Sequence, residues 1–250
     1  MAPSPSLLDR YLEPLLGGDR NACRSLVAGE LRGRKTADQL LREVVWPSLD
    51  HVDRLYREHR INAATEHMAV RINRCVGTQL QPALEYLPAN GKRLLVGCAQ
   101  GESEEVAAQV TADLFETRGW EVYFIGGGVP NDEVLALVGQ LRPEVLLICG
   151  TKPQGAPGVR ALIDLIREVG SNPTMNVMVS GGVFNRADGL WKEVDADLLA
   201  RTPDEAIRVA ESAEPRKPEI RIPGAPKKRR RRRPLGLLVH VRSCPSTDAP

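Results

Sequence analysis

The stretch KRLLVGCAQGESEEVA, residues 92–107, decides the fold that we expect for the second half of the chain. Residues 94–97 are apolar or small, as in a short buried strand, and residues 98–101 form a tight loop that ends in glycine. Residues 102–105 then open a helix, where acidic residues and serine suit the positive end of the helix dipole. A strand, a glycine loop and a helix make the first unit of a doubly wound sheet, in which ligands bind beyond the carboxyl ends of the strands.

The same alternation continues towards the carboxyl terminus. Short apolar runs separated by helical periodicity favour βαβ crossovers and a parallel sheet. A weaker last strand precedes a helix that Thr202 or Asp204 caps. Five strands predict an α/β, flavodoxin-like, doubly wound parallel sheet. The predicted strands are residues 94–97, 122–125, 145–149, 177–180 and 197–200, and the predicted intervening helices are residues 106–118, 132–141 and 159–169.

The chain before this sheet has helical periodicity throughout. Leucines and valines recur at spacings of three and four residues, and the runs are broken at Gly17-Gly18 and Gly33. Asp19, Thr36 and either Asn62 or Thr65 stand where helix caps are expected. Four helices with short links predict a small antiparallel bundle. The predicted domains are therefore a bundle over residues 6–87, a sheet domain over residues 91–213 and a tail over residues 214–250.

Charge separates the tail from the rest of the chain. From Arg216 onward there are eleven Lys or Arg residues and two acidic residues, so this segment carries +9 and the remainder carries −7. Lys227 and Arg233 bound an unbroken run of seven cations, for which we expect disorder and a sequence-blind attraction to nucleic acid or an acidic surface. A solubilising tail, or one that folds back on the acidic body, is the alternative. A short apolar segment at residues 235–241 can add an edge strand.

The five cysteines are scattered, with no CxxC pair, which favours reduced thiols and a cytoplasmic location. The first ten residues, MAPSPSLLDR, lack the pattern of a signal peptide. No stretch approaches the roughly 18 uninterrupted apolar residues of a membrane span, so we expect no membrane contact.

A helical bundle followed by such a sheet domain resembles the cobalamin-binding module of methionine synthase, corrinoid methyl-carrier proteins and light-sensing MerR-type repressors. GCAQGESEEVA at residues 97–107 is similar to the family's G-x-x-x-G-D-x-H-x-x-G. GWEVYFIGGGVPNDE at residues 119–133 resembles G-(F/Y)-E-V-x-x-L-G-x-x-V-P-x-E-E. VSGGVF at residues 179–184 and DADLLARTPDEAI at residues 195–207 resemble the motifs at the last two strands. CGTKPQ at residues 149–154 lies where the family has Ser or Thr near the lower nucleotide.

In the bundle, YREHRINAATEHMA at residues 56–69 resembles the light-sensing subgroup's W-x-x-x-R-(I/V)-x-x-A-x-E-H, a segment that covers the upper face of the corrin. Tyr56 replaces the tryptophan, and Glu66 and His67 remain. The cofactor-binding residues that the resemblance implies are Tyr56, Glu66, His67, Gly97, Gly101, Glu102, Ser103, Glu104, Gly126, Val129, Thr151, Gly181 and Gly182.

The chain departs from the family at the lower face of the metal. Glu104 occupies the position of the histidine that supplies the lower axial ligand to cobalt, and Ala107 replaces the closing glycine. A carboxylate prefers harder ions than imidazole does. No histidine lies between Arg71 and Val239. We therefore assign no protein ligand to the metal.

The leading hypothesis is a cobalamin-binding regulator or sensor, not an enzyme, which holds methyl- or adenosylcobalamin between bundle and sheet domain. It would act through a partner protein such as a transcription regulator. The first alternative is a corrinoid methyl carrier for a methyltransferase, and the second is a degenerate module that binds no corrinoid and serves protein interaction.

Several residues have plainer interpretations. Glu102, Glu104 and Glu105 are either catalytic carboxylates or, more simply, a solvated helical turn. His67 gates the cofactor face or is a hydrogen-bonded residue of the bundle. Cys98 is a redox residue or a small buried one. We set aside a receiver domain, which shares this five-stranded fold, because Cys149 ends the predicted third strand where that class of domain needs an aspartate.

Overall fold

A single parallel sheet with the strand order β2-β1-β3-β4-β5 organises the second half of the chain. The computed structural model describes residues 5–99 and 105–218. This sheet confirms the predicted α/β, flavodoxin-like fold. The strands are β1 (Arg93–Cys98), β2 (Glu121–Gly126), β3 (Val145–Cys149), β4 (Asn176–Ser180) and β5 (Leu198–Ala200).

The helices of the bundle begin where hydrogen-bonding side chains precede them. Asp19, Thr36 and Asn62 each accept a hydrogen bond from a backbone N–H in the following turn, as predicted. Ser6 and Asp9 form a capping box that the sequence pattern did not reveal. The predicted third helix consists of two α-helical segments, residues 37–40 and 46–57, which a π-helical turn at Leu41–Val45 joins without a break. The bundle helices are α1 (Leu7–Leu16), α2 (Arg20–Arg32), α3 (Ala37–Leu40), α4 (Trp46–Arg57) and α5 (Ala63–Leu80).

Helices cover both faces of the sheet. The bundle, α6 and α11 share one hydrophobic core with one face, and α7, α8 and α9 form a second core with the other face. Because strand side chains alternate, Val96 and Leu147 point to the first core, and Leu95 and Leu146 point to the second. The helices of this half are α6 (Val106–Glu116), α7 (Asn131–Leu141), α8 (Ala156–Val169), α9 (Gly182–Arg186), α10 (Leu190–Glu193) and α11 (Pro203–Ser212).

The structure corrects two details of the sequence analysis. Glu105 is the N-cap residue of α6 instead of lying within it, its side chain makes no capping hydrogen bond, and the helix begins at Val106. The connection between β4 and β5 contains two short helices, which its weak periodicity did not predict. The expectations for Gly101, Glu102, Ser103, Glu104 and the tail from residue 219 onward lie outside the described residues.

A buried polar network holds the bundle together. The Tyr11 hydroxyl donates to Asn73 Oδ1 over 2.9 Å, and Ser48 Oγ lies 3.0 Å from the same oxygen. Ser48 also donates to the carbonyl of Val45, across the π-helical turn. All three side chains are fully buried, and Tyr11 and Asn73 depend on each other for this hydrogen bond.

Asp113 on α6 is a buried carboxylate with one oxygen left without a hydrogen-bond partner in the described part of the chain. Gln81 Nε2 donates to its Oδ1 over 3.0 Å, but Oδ2 has no partner within the described residues. Burial therefore raises the pKa of Asp113 above its ordinary value of 3.8. Because the folded state binds this proton more tightly than the unfolded state, the carboxylate's contribution to stability becomes less favourable as pH rises through and above 4.

An Asp113→Asn variant is expected to be more stable than the parent by about 1 kcal/mol at pH 7, with the gain vanishing near pH 4. Urea unfolding followed by circular dichroism at several pH values measures this difference. Asp188→Asn, at an exposed position, is the control and should show no such trend. A gain at Asp113 that does not depend on pH would contradict this explanation.

Candidate functional site

A cleft of about 280 Å³ lies between the bundle and the carboxyl ends of the strands. Helices α4 and α5 form one wall. The first turn of α6, the loop that follows β3 and the end of α9 form the other wall. The lining residues are Leu49, Asp53, Tyr56, Arg57, Glu66, His67, Val70, Val106, Ala107, Thr151, Lys152, Pro153 and Arg186.

The bundle wall brings together the three residues predicted to cover the cofactor. Tyr56 comes from the end of α4, and Glu66 and His67 come from the first turns of α5. The Tyr56 side chain is 42% exposed on this wall of the cleft. His67 Nε2 lies 3.5 Å from Glu66 Oε2, so a protonated imidazole would pair with that carboxylate.

The sheet wall is built where two strands end. Thr151, Lys152 and Pro153 follow β3, and Val106 and Ala107 begin α6. Thr151 is the predicted residue of this wall. Ala107, at the position of the family's closing glycine, is half-buried and contributes its methyl group to the cleft.

Arg186 and Asp53 link the two walls and were missed by the sequence analysis. Arg186 Nη1 donates to Asp53 Oδ2 over 3.1 Å, and Nη2 donates to the carbonyl of Thr151 over 2.8 Å. Asp53 also accepts from Arg57 Nε over 2.9 Å. The spacing of Asp53 and Arg57 at i and i+4 was visible in the sequence, but their partner on α9 lies 133 residues away from Asp53.

Three of the residues predicted to bind the cofactor do not line the cleft. Gly97, Gly126 and Val129 line a separate, small pocket of about 20 Å³ between the strand ends and helices α7 and α8. That pocket belongs to the second core, on the opposite face of the sheet from α6. The structure therefore divides the predicted set between two cavities.

Glu105 has a structural role instead of the catalytic or solvated one considered from the sequence. Its Oε1 accepts a hydrogen bond from the Gly127 N–H over 2.7 Å, which ties the start of α6 to the loop after β2. Gly126 has a φ of +65°, and a Cβ there would lie 2.9 Å from the Glu105 carboxylate. The glycine at 126 therefore makes room for this carboxylate.

Gly181 and Gly182 lie where β4 passes into α9, next to the sheet wall of the cleft. Gly181 has a φ of +98°, and a Cβ there would lie 2.4 Å from the carbonyl oxygen of Gly150. A Cβ on Gly182 would lie 2.3 Å from Arg186 Nη1. The two glycines thus let the β4–α9 turn approach Gly150, which precedes Thr151, and let the guanidinium rest against the backbone.

Small side chains form a row across the sheet at its carboxyl end. Cys98, Cys149, Ser180 and Ala200 pair laterally in register on the face that carries α6. Two residues earlier in each of these strands, the same face carries larger side chains, which fill the space beneath α6 and α11. These are Val96, Leu147, Met178 and Leu198.

The described residues contain no group of three or more His, Cys, Asp or Glu side chains placed to hold a metal ion. No helix within residues 5–99 and 105–218 is long and apolar enough to cross a membrane.

Two family models, both described as B12 binding domain, match residues 7–76 and residues 92–210. Dimethylamine corrinoid protein 1 of Methanosarcina acetivorans is 24% identical over 115 residues, which are 46% of this chain and 53% of that protein. Dimethylamine corrinoid protein 3 of Methanosarcina mazei is 24% identical over 115 residues, 46% of this chain and 67% of that protein. The chain thus spans about half to two thirds of the length of these relatives.

A solved structure has the same fold. The monomethylamine corrinoid protein of Methanosarcina barkeri superimposes with a TM-score of 0.73, covering 82% of this chain and 96% of that one at 16% sequence identity. The superposition extends over bundle and sheet domain together, since neither half alone makes up that share of the chain.

Proposed function

This chain belongs to the family of B12-binding domains, and from that premise we propose that it is a corrinoid methyl carrier for a partner methyltransferase. The corrinoid would lie in the cleft between the bundle and the sheet. The observation that carries the proposal is the cleft itself, which gathers Tyr56, Glu66, His67 and Thr151 from opposite walls. The chain would carry the methyl group, and the partner would catalyse its transfer.

The cleft suits a corrinoid by its lining more than by its volume. That volume is about 280 Å³, just below the range of roughly 300–1,000 Å³ typical of ligand pockets. The row of small side chains from Cys98 to Ala200 leaves the carboxyl end of the sheet lined by thiol, hydroxyl and methyl groups on the α6 face. A bulky group needs such a lining to approach the strand ends.

Each wall would contribute a different interaction. The Tyr56 ring would pack on the upper face of the macrocycle, and His67 with Glu66 would present polar groups beside it. The Thr151 hydroxyl and the ammonium of Lys152 would offer hydrogen bonds from the sheet wall. When bound, the corrinoid supplies a cobalt that accepts and donates a methyl group.

The relatives support the carrier over the regulator that led the sequence analysis. Those compared above are corrinoid proteins named for dimethylamine. The regulator remains the second candidate because Tyr56, Glu66 and His67, the residues that resemble the light-sensing subgroup, meet in one wall of the cleft. A regulator predicts that light changes the oligomeric state of protein loaded with adenosylcobalamin, and a carrier predicts no such change.

The purified 250-residue chain is expected to retain a corrinoid. Incubation with methyl-, adenosyl- or hydroxocobalamin, followed by desalting and absorption spectroscopy, should show the corrin bands in the protein fraction. Because the sheet domain offers no histidine, we expect a His67→Ala variant to change the spectrum of bound hydroxocobalamin more than the matched His59→Ala variant, whose histidine does not line the cleft.

Colourless protein after incubation with all three corrinoids would favour the degenerate interaction module instead. If the protein retains a corrinoid, methyl transfer to or from the loaded protein by a partner methyltransferase separates the carrier from the sensor. The attraction of the run from Lys227 to Arg233 to nucleic acid or an acidic surface stays a prediction from charge alone.

A further inference from the structure

Arg186 bridges the two walls of the cleft with one guanidinium group. Its Nη1 holds Asp53 of α4, in the bundle, and its Nη2 holds the carbonyl of Thr151, after β3. All three residues line the cleft. The bridge therefore crosses the opening that lies between bundle and sheet.

The Arg186 guanidinium lies close to the backbone of Gly182. A Cβ at that position would come within 2.3 Å of Nη1, so the glycine leaves the space that the guanidinium occupies. About a third of each side chain is exposed, 32% for Arg186 and 34% for Asp53. Solvent thus screens the ion pair in part, which makes it a modest and reversible contact.

Asp53 keeps a partner when Arg186 leaves. Arg57, one turn further along α4, donates to the same Asp53 Oδ2 over 2.9 Å. Opening the bridge therefore exposes no unpaired carboxylate in the cleft, so the energetic penalty that follows the loss of a charge partner is reduced.

We propose that Arg186 is a clasp that closes the cleft when no corrinoid is bound, and that corrinoid entry requires its contact with Asp53 to break. This inference rests on the proposed function, because it concerns the entry of that ligand. A flat macrocycle between bundle and strand ends must occupy space that the bridging side chain now spans. Arg186 is thus a residue that sets the rate of loading, and it does not touch the reacting methyl group.

An Arg186→Gln variant should take up corrinoid faster than the parent. Stopped-flow absorption with hydroxocobalamin and the whole 250-residue chain is expected to show an association rate about three- to fivefold higher, in line with the strength of a partly exposed ion pair. Arg160→Gln is the matched control, because Arg160 pairs with Asp164 away from the cleft. An unchanged or slower association of the Arg186 variant would overturn the clasp.

Asp53→Asn tests the same contact from the bundle side. It should accelerate association as Arg186→Gln does, and the double variant should be no faster than either single variant because all three lose one shared contact. Accelerations that multiply in the double variant would overturn the inference.

Hydrogen exchange of the protein without corrinoid gives a readout that needs no ligand. Arg186→Gln should raise amide exchange in α4, and Arg160→Gln should not. Unchanged exchange in α4 would overturn the clasp. If the parent protein takes up no corrinoid, the proposed function fails, and the exchange experiment still decides whether Arg186 holds the two walls together.

Discussion

A Gly181→Ala variant is expected to lose about 2–4 kcal/mol of its free energy of unfolding, since φ of +98° with ψ of 169° is a conformation open essentially to glycine alone. The added Cβ would also lie 2.4 Å from the carbonyl oxygen and 2.9 Å from the nitrogen of Gly150. Both contacts are with backbone, so no side-chain rotation relieves them. The turn must shift, and Gly150 must shift with the sheet wall that follows it.

Urea unfolding followed by circular dichroism measures this loss. Gly189→Ala is the matched control, because Gly189 has a φ of +79° with no atom within 4 Å of the added Cβ. It should lose only about 1 kcal/mol, the cost of the left-handed backbone alone. Equal losses at the two positions would contradict the role assigned to the contact between Gly181 and Gly150.

An Ala107→Trp variant is expected to bind corrinoid at least about tenfold more weakly than the parent, because an indole at the start of α6 would fill part of the cleft. Ala107 is half-buried, and its side chain faces the cavity that the ligand would occupy. The thermal midpoint should change little, since the new ring enters empty space. Titration with hydroxocobalamin, followed by absorption, measures the affinity.

Gln140→Trp provides the control for the Ala107 variant, since Gln140 is exposed on α7 and lines neither cavity described above. It should bind corrinoid as the parent does. If Ala107→Trp also keeps the affinity of the parent, the ligand does not lie in this cleft, and the proposed location of the corrinoid is wrong even if the chain binds one.

The departure at Glu104 bears on the proposed carrier function. The resemblance places a carboxylate where the family's motif has a histidine, and no histidine lies between Arg71 and Val239 to replace it. In the part of the chain that the structure describes, the imidazole that lines the cleft is His67, on the bundle wall. If a protein imidazole alters the absorption spectrum of bound hydroxocobalamin, substitution of His67 should therefore change that spectrum.

The order and type of the main elements could be derived from local patterns in the sequence. Asp19, Thr36 and Asn62 cap helices because a side-chain oxygen one turn from a free N–H is a short-range interaction. Strands β3 and β4 were recognisable because both faces of a central parallel strand are buried, so their sequences are continuously apolar. Patterns of this kind need no knowledge of distant residues.

Tertiary structure alone decided how the site is divided and closed. Gly97 and Gly126 lie at the ends of β1 and β2, and Val129 follows β2, at the same edge of the sheet as Thr151. The sheet nevertheless separates them into a different cavity on its other face. The pairing of Arg186 with Asp53 joins residues 133 positions apart. The sequence determined the family, the sheet and the bundle wall of Tyr56, Glu66 and His67, because periodicity and motifs act over one or two turns. Which charges meet across the cleft depended on how the bundle packs against the sheet, and no local pattern encodes that contact.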